Sequence, residues 1–298
     1  MKLKHIKILS MLFLVIFFGG CQTSKYIIET DPNTITIATF NTEWLGDGID
    51  DTKPRFNYEY EKIAKILYMT NADIIALQEV ENDKAIEKIT NYLVGYNFYV
   101  LNGTGKQNCA ILYNPNLDIR ILGNYEPINV KPGRTRPGLI AYVKKGNFDF
   151  ILMNIHLKST SSYDNTDQLR EESYLLRQNQ ATAISNWVDS LENHSKEKDI
   201  IILGDFNDNP LRLSHPTLTP LIKNKYLSFL TADLKSCKNP KWDNIDNFVV
   251  TTSVLDRVIY TSIKQINTYQ MLKKKEAESI SDHCPVIISF DITKPDND

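Results

Sequence analysis

The sequence predicts an α/β protein in which mixed β-sheets are covered by helices. Three observations carry this reading. Short runs rich in β-branched and aromatic residues recur along most of the 298 residues. Helical 3.6-residue patterns separate several of them. Both long crossovers and hairpin-like spacings join them, which calls for parallel and antiparallel neighbours in one sheet.

The elements follow in order. Lys2, Lys4 and Lys7 precede an apolar run over 8–18 and then Gly19, Gly20 and Cys21, the arrangement of an export signal. The run is short for a permanent membrane span. Phe18-Gly19-Gly20-Cys21 resembles the lipobox of bacterial lipoproteins, with Phe18 where Leu is usual. The resemblance implies a signal peptide over 1–20 and a lipid-modified Cys21, which would anchor the chain to a membrane of the cell envelope. A tether over 21–33 would then lead to a folded domain over 34–293 and a tail over 294–298. No repeat or Gly/Ser-rich linker divides that span.

Strands are expected over 34–40, 74–78, 96–101, 109–113, 138–143, 148–155, 200–203, 254–260 and 284–290. A long helix is expected over 167–191, where Leu169, Ser173, Leu176, Gln180, Ile184, Trp187 and Leu191 recur at three- and four-residue spacing. A second helix is expected over 60–69. With 42% hydrophobic and 23% charged residues the composition is that of a globular protein, and a formal charge of −2 gives no whole-molecule attraction to polyanions. Beyond Cys21 the cysteines are Cys109, Cys237 and Cys284. The odd number argues against a disulfide framework and favours buried small hydrophobes, with one bridge left open.

Polar residues gather where these strands begin or end. Asn41 and Glu43 lie in "TFNTEWLG", Glu79 in "IIALQEVEN", His156 in "MNIHLKS", Asp205 and Asn207 in "ILGDFND", Asp256 in "VLDRVIYT", and Asp282 and His283 in "SDHCPV". In an α/β sheet such strand ends form a rim on which distant parts of the chain converge. Carboxylates and amides without a cysteine or multi-histidine cluster are hard oxygen donors, suited to Mg²⁺ or Mn²⁺. Glu79 with Asn41 or Asp282 would suffice for such an ion. His156 and His283 would move protons, and Asp256 would orient His283.

"FNTEWLG", "LQEVEN", "NIHLKS", "GDFND" and "SDHCPV", in that order, resemble the endonuclease/exonuclease/phosphatase superfamily. The resemblance implies a four-layer α/β sandwich of two mixed sheets packed face to face with helices outside. It implies divalent-metal-dependent hydrolysis of phosphate esters. Carried over by position, Glu79 is the principal metal ligand, with Asn41 and Asp282 beside it. Asp205 and Asn207 position the water and hold the phosphate, Asp256 pairs with His283, and His156 is the second histidine. Whether Asp205 or His283 takes the water proton stays open.

Substrate is less legible. Lys131, Arg134 and Arg136 in "KPGRTRP", with Lys158, offer a modest basic patch, whereas Lys273 to Lys275 reads as a solvated tip. Arg177 and Gln180 read as a solvated helix face, His194 and His215 as incidental, and Trp242 as isolated. An exported monomeric nuclease acting on nucleic acid is the first expectation. A sphingomyelinase-like or small-molecule phosphoesterase is second, and a non-catalytic binding protein is third.

Overall fold

The computed structural model describes residues 25–103 and 105–296. The expected signal peptide and Cys21 lie outside the described residues. Among the described residues no helix is long and apolar enough to cross a membrane.

In chain order the elements are β1 (Tyr26–Ile27), β2 (Thr34–Leu45), α1 (Asn57–Thr70), β3 (Ile74–Val80), α2 (Asp83–Thr90), β4 (Leu93–Val94), β5 (Asn97–Val100) and β6 (Asn108–Tyr113). Next come β7 (Asp118–Tyr125), β8 (Gly138–Lys145), β9 (Phe148–His156), α3 (Asp167–His194) and β10 (Ile200–Asp205). The remainder holds α4 (Thr219–Ile222), β11 (Leu227–Phe229), β12 (Asp246–Thr251), β13 (Lys264–Gln265), α5 (Thr268–Met271), α6 (Lys274–Ile280) and β14 (Val286–Asp291).

Two six-stranded sheets run β13-β14-β2-β3-β6-β5 and β11-β12-β10-β9-β8-β7. Both are mixed: β2 and β3 are parallel, as are β9 and β10, while β14 and β12 join them antiparallel. Successive strand residues point to opposite faces, and the burial follows. Ile35, Ile37, Ile74 and Ala76 meet Leu139, Phe150, Leu152, Ile201 and Leu203 between the sheets. Their neighbours Ala38, Phe40, Ile75 and Leu77 pack under Ile63 and Leu67 of α1 and Ile86 and Ile89 of α2. On the far side Met153, Ile155, Ile200 and Ile202 pack under Ala181, Ile184 and Val188 of α3. Two helical and two sheet layers result, the four-layer sandwich expected from the sequence. It also explains why β10 reads as an unbroken aliphatic run, since both its faces are covered.

Two devices fix how the strands end. Gly204 has φ +136°, and a Cβ there would sit 2.0 Å from the Ile155 carbonyl oxygen. Gly204→Ala is therefore expected to cost roughly 1–3 kcal/mol or more, because backbone must move; a urea-unfolding midpoint equal to wild type contradicts this. Across the sheet interface, Asn154 of β9 donates to the carbonyls of Leu77 and Ala110, each at 2.9 Å, and accepts from Gln78 Nε2 at 2.7 Å. Asn154 and Gln78 are fully buried, so these amides satisfy one another in an apolar core.

Three expectations are corrected. Residues 254–260 do not form a strand; Thr252–Arg257 is a 3₁₀ helix and Val258 alone bridges to Phe290. Its apolar residues serve three-residue spacing, with Val254 and Arg257 both buried. Arg177 and Gln180 are not solvated but buried on α3. They hold the chain after β9: Gln180 Oε1 accepts from the Lys158 amide at 2.8 Å, and Arg177 Nη1 donates to the Lys158 carbonyl at 2.6 Å. Finally, Cys237 and Cys284 form a disulfide, and only Cys109 is the buried free thiol expected of all three.

Candidate active site where the two sheets meet

Sheet register alone assembles half of the site. β9 ends at His156, β10 ends at Asp205 and β12 begins at Asp246. His156 pairs with Asp205 across the parallel ladder, and Asp205 pairs with Asp246 across the antiparallel one. Three chemically active side chains thus stand in one row on strands about 4.8 Å apart. His283 arrives from the turn between α6 and β14. Ser281 pins that turn, donating to the Asn41 carbonyl at 2.7 Å and accepting from the His283 amide at 3.0 Å. His283 Nδ1 lies 2.8 Å from Asp246 Oδ2, and its Nε2 lies 3.9 Å from Asp205 Oδ2 and 3.8 Å from Asp282 Oδ1.

The other sheet supplies Asn41 and Glu79. The β2–β3 ladder breaks register between Asn41 and Leu45. There Glu43, Trp44 and Glu79 adopt φ of 48°, 58° and 61°, a left-handed conformation that non-glycine residues rarely hold without surrounding support. The kink turns Glu79 inward. Its Oε2 accepts from the Trp44 amide at 3.0 Å, and its Oε1 accepts from Asn41 Nδ2 at 3.3 Å. Asn41 Nδ2 also donates to Asp205 Oδ2 at 2.9 Å, joining the two sheets at the site. His156 Nε2 sits 3.5 Å from Asp205 and 3.7 Å from Glu79. Asn207, also left-handed at φ 51°, donates to Asp205 Oδ2 at 3.1 Å.

The structure therefore brings together Asn41, Glu79, His156, Asp205, Asn207, Asp282 and His283, and leaves out one expected residue. Asp256 is exposed, and its backbone carbonyl accepts from Lys294. The neighbouring Arg257 pairs with Asp199, just before the first residue of β10, whereas Asp205 is its last. Asp256 thus belongs to the opposite end of the sheet. Asp246 orients His283 instead. The signal is the acid opening "DNFVV", a short strand absent from the expected set. Glu43 lies next to the site without facing it: its Oε2 binds Lys53 at 2.6 Å and accepts from the Asp282 amide at 2.8 Å.

Burial and charge set the protonation of this group. Burial, reinforced by Asp246, pushes the Asp205 carboxyl up to about 7, against the opposing pull of His283 and the hydrogen bonds from Asn207 and Asn41. Burial would lower the His283 imidazolium, but the carboxylates of Asp246 and Asp205 outweigh it and hold His283 well above its ordinary value. His156 is driven well below its ordinary value by burial and by the nearby cations Arg136, His283 and Lys158. The site thus holds one charged and one neutral histidine around a carboxyl near neutrality.

Ligand atoms of Asp205, Asp246 and His283 all lie within 4.8 Å of one another. Asp246 is engaged by His283, and Asn41 turns its Nδ2 toward Glu79 and Asp205 while its Oδ1 accepts from the Glu43 amide at 2.9 Å, so the oxygens left facing the site are those of Glu79 and Asp205, with Asp282 alongside. These are hard donors, and the ionisation that burial resists in Asp205 is what a divalent cation would favour. The residues fit such an ion. Glu79 would hold it, supported by Asn41 and Asp282, and when bound it would polarise a phosphoryl oxygen and offset charge in the transition state.

Cations flank the row. Arg136 Nη2 donates to Gln107 Oε1 at 2.8 Å, and its charge is felt by Glu79, Asp205 and His156. By contrast Lys131 and Arg134 of the same loop are tied to Glu172, and Arg134 also to Asp164 at 3.1 Å. Only part of the basic patch read from the sequence therefore faces the site.

Known structures share this architecture. A truncated form of TDP2 from Caenorhabditis elegans superposes with TM-score 0.61 at 19% identity, covering 87% of this chain and 97% of that one. A mannosyl-6-phosphatase from Bacteroides thetaiotaomicron gives 0.56 at 16%, covering 86% and 99%. The human Nocturnin catalytic domain gives 0.56 at 15%, covering 86% and 94%. No curated protein sequence matches the chain. The sequence itself matches the Endonuclease/Exonuclease/phosphatase family over residues 38–283, a span that holds every side chain of the row and both of its flanks. The chain therefore belongs to that family of metal-dependent phosphoesterases.

Proposed function

We propose that the protein is an exported, lipid-anchored, Mg²⁺-dependent phosphodiesterase that cleaves nucleic acid. One observation carries the choice of a diester. Two depressions adjoin the site: one contains Arg136, whose charge acts on His156, and the other reaches Asp282 and His283. One, of about 310 Å³, is lined by Gln107 and Arg136 and by Arg134 and Lys158, which both pair with Asp164 of the same lining. The other, of about 710 Å³, is lined by Arg212, Lys238, Lys241 and the site residues Asp282 and His283. A phosphodiester has a substituent on each side of phosphorus, and a monoester has one. A site open on two sides with cations on both suits the former, and with a net charge of −2 the attraction must come from these few groups.

Asp205, ionised, accepts the proton of the attacking water, which Asn207 helps to orient. His283, kept protonated by Asp246, donates to the phosphoryl or leaving oxygen. Neutral His156 donates a further hydrogen bond through Nε2. The Cys237–Cys284 disulfide supports placement in an oxidising compartment, in keeping with the signal and lipobox around Cys21. Radiolabelled palmitate is expected to enter the wild type in a bacterial host and not Cys21→Ser.

The test of activity is a substrate panel with Mg²⁺ or chelator: plasmid DNA, RNA, bis(p-nitrophenyl) phosphate, p-nitrophenyl phosphate and sphingomyelin. Chelator-sensitive cleavage of nucleic acid and the diester, at least tenfold faster than of the monoester or lipid, is expected. Preference for the monoester or for sphingomyelin overturns the reading, and no turnover of any would mark a binding protein. In the same preparations Mg²⁺ should raise the melting temperature of the wild type and leave that of Glu79→Ala unmoved.

A further inference from the structure

The end of the sandwich opposite the catalytic row carries an apolar surface of its own. β3 runs from Ile74 toward the site, and at about 3.4 Å per residue Glu79 lies about 17 Å from Ile74. The turn that leads from α1 into β3 follows Tyr68 and Met69, which are 39% and 36% exposed. Beside it stands β1, where the Tyr26 ring lies 5.3 Å from that of Tyr68 and Ile27 is 66% exposed.

The chain is seated on this end from its first described residues. Tyr26 donates its amide to the Tyr92 carbonyl at 2.8 Å, and β1 pairs in parallel with β4. Asn114 Nδ2 donates to Thr30 Oγ1 at 3.4 Å. Lys145, which ends β8 in the other sheet, donates to the Asp31 carbonyl at 3.0 Å and to Asp73 Oδ1 at 2.7 Å. The segment thus crosses the base from one sheet to the other before β2 begins. Of the tether expected over 21–33, the part from Tyr26 onward is bound to the domain. Five residue steps separate Tyr26 from Cys21, a reach of about 18 Å at full extension.

Resting on the lipid anchor at Cys21, we propose that this base is a membrane-facing surface. It lies on the phospholipid bilayer with Ile27, Tyr68 and Met69 at the headgroup boundary, and the catalytic row is turned to the aqueous phase. Acyl chains in the bilayer hold Cys21 at its surface. To bring the catalytic end to that surface instead, the link from Cys21 would have to stretch along the depth of the sandwich and give up nearly all its conformational freedom. The side chains suit the interface, since tyrosine is apolar with a polar tip and isoleucine and methionine add apolar area. Exposed Lys65, one turn before Tyr68 and Met69 on the same helical face, suits anionic headgroups. The substrate then arrives from the water side, as a dissolved polyanion does and a lipid of the anchoring membrane does not.

The experiment exposes lipidated enzyme in phosphatidylethanolamine/phosphatidylglycerol vesicles to hydroxyl radicals and reads side-chain oxidation by mass spectrometry, with soluble Cys21→Ser protein as reference. The readout is the ratio of oxidation at Met69 to that at Met271, an exposed methionine of α5, the helix whose Thr268 meets Cys284 beside His283. The ratio is expected to fall at least threefold on vesicles. In Ile27→Glu/Lys65→Glu it should recover at least halfway, while hydrolysis of bis(p-nitrophenyl) phosphate stays within twofold of wild type. Protection of Met271 in place of Met69 overturns the surface. A second preparation separates the two levels of inference: the chain from Cys21 onward, which retains every described residue, is coupled through the Cys21 thiol to a maleimide lipid in the same vesicles. If no palmitate enters the wild type in cells, the anchor reading fails, while a fall of the ratio in the coupled chain still upholds the surface. An unchanged ratio in the coupled chain sinks the surface with or without palmitate.

Discussion

Asp205→Asn is expected to lower kcat by on the order of 10³-fold, the usual scale for a lost proton acceptor acting beside charged hydrogen-bond donors. The amide keeps the shape of the carboxylate and can still meet Asn41 and Asn207, so the loss reports proton transfer and not collapse of the site. The wild-type pH profile gives the matching signature. Asp205 has been raised to about 7, so below that pH it carries a proton and cannot accept another. Because a bound divalent cation favours the carboxylate, activity in Mg²⁺ should rise with pH at or below this region. His283, held well above its ordinary value, keeps its proton across the same interval and limits activity only on the alkaline side.

The same shift predicts an opposite effect on stability. An unfolded aspartate ionises near 3.9, so above pH 4 the unfolded chain has released a proton that the fold retains. The raised carboxyl therefore disfavours the fold increasingly as pH climbs from about 4 to 7. In chelator at pH 8, Asp205→Asn should melt above the wild type, and the gap should close below pH 4. Scanning calorimetry at the two pH values checks this. A mutant that melts far below wild type at pH 8 would show that Asp205 is a structural residue.

Asp246→Asn is expected to cost 10²- to 10⁴-fold in kcat, by analogy with other carboxylates that orient a catalytic imidazole, while Asp256→Asn stays within twofold. The contrast follows from geometry. Asp246 is 2% exposed and holds His283 Nδ1 at 2.8 Å, whereas Asp256 is exposed and contributes a backbone carbonyl to Lys294. Losing the Asp246 charge should also bring the alkaline limb of the pH profile toward neutrality, since that carboxylate holds the imidazolium up. Equal rates for the two variants would remove Asp246 from the site.

Much of the site was legible because the ends of buried strands are marked by a change from aliphatic to polar residues. "IIILGDFND" shows both the strand and its two functional residues, and "MNIHLKS" does the same for His156. The sequence pairs His283 with Asp256 because that acid has strongly apolar flanks, whereas Asp246 opens a strand that the pattern does not show. "VLDRVI" satisfies a 3₁₀ turn over buried Val254 and Arg257, while β12 opens with the less apolar "DNF". Residue type also hid the role of Arg177 and Gln180. The helical spacing had already placed Ser173, Leu176, Gln180 and Ile184 on one face, and that face is buried. The polar residues on it hold the backbone at Lys158, a long-range partner that local pattern cannot show. The disulfide was hidden for the same reason, since 47 residues separate its cysteines.

The row His156–Asp205–Asp246 stands on one sheet and Asn41 with Glu79 on the other, yet productive chemistry needs both within a fraction of an ångström. Two greasy slabs resist separation but offer little friction against sliding. The buried Asn154 amide, anchored to Leu77, Ala110 and Gln78 a few residues behind the reacting groups, acts as a dowel against such slippage, so catalytic alignment in this enzyme rests on a pin through its hydrophobic middle.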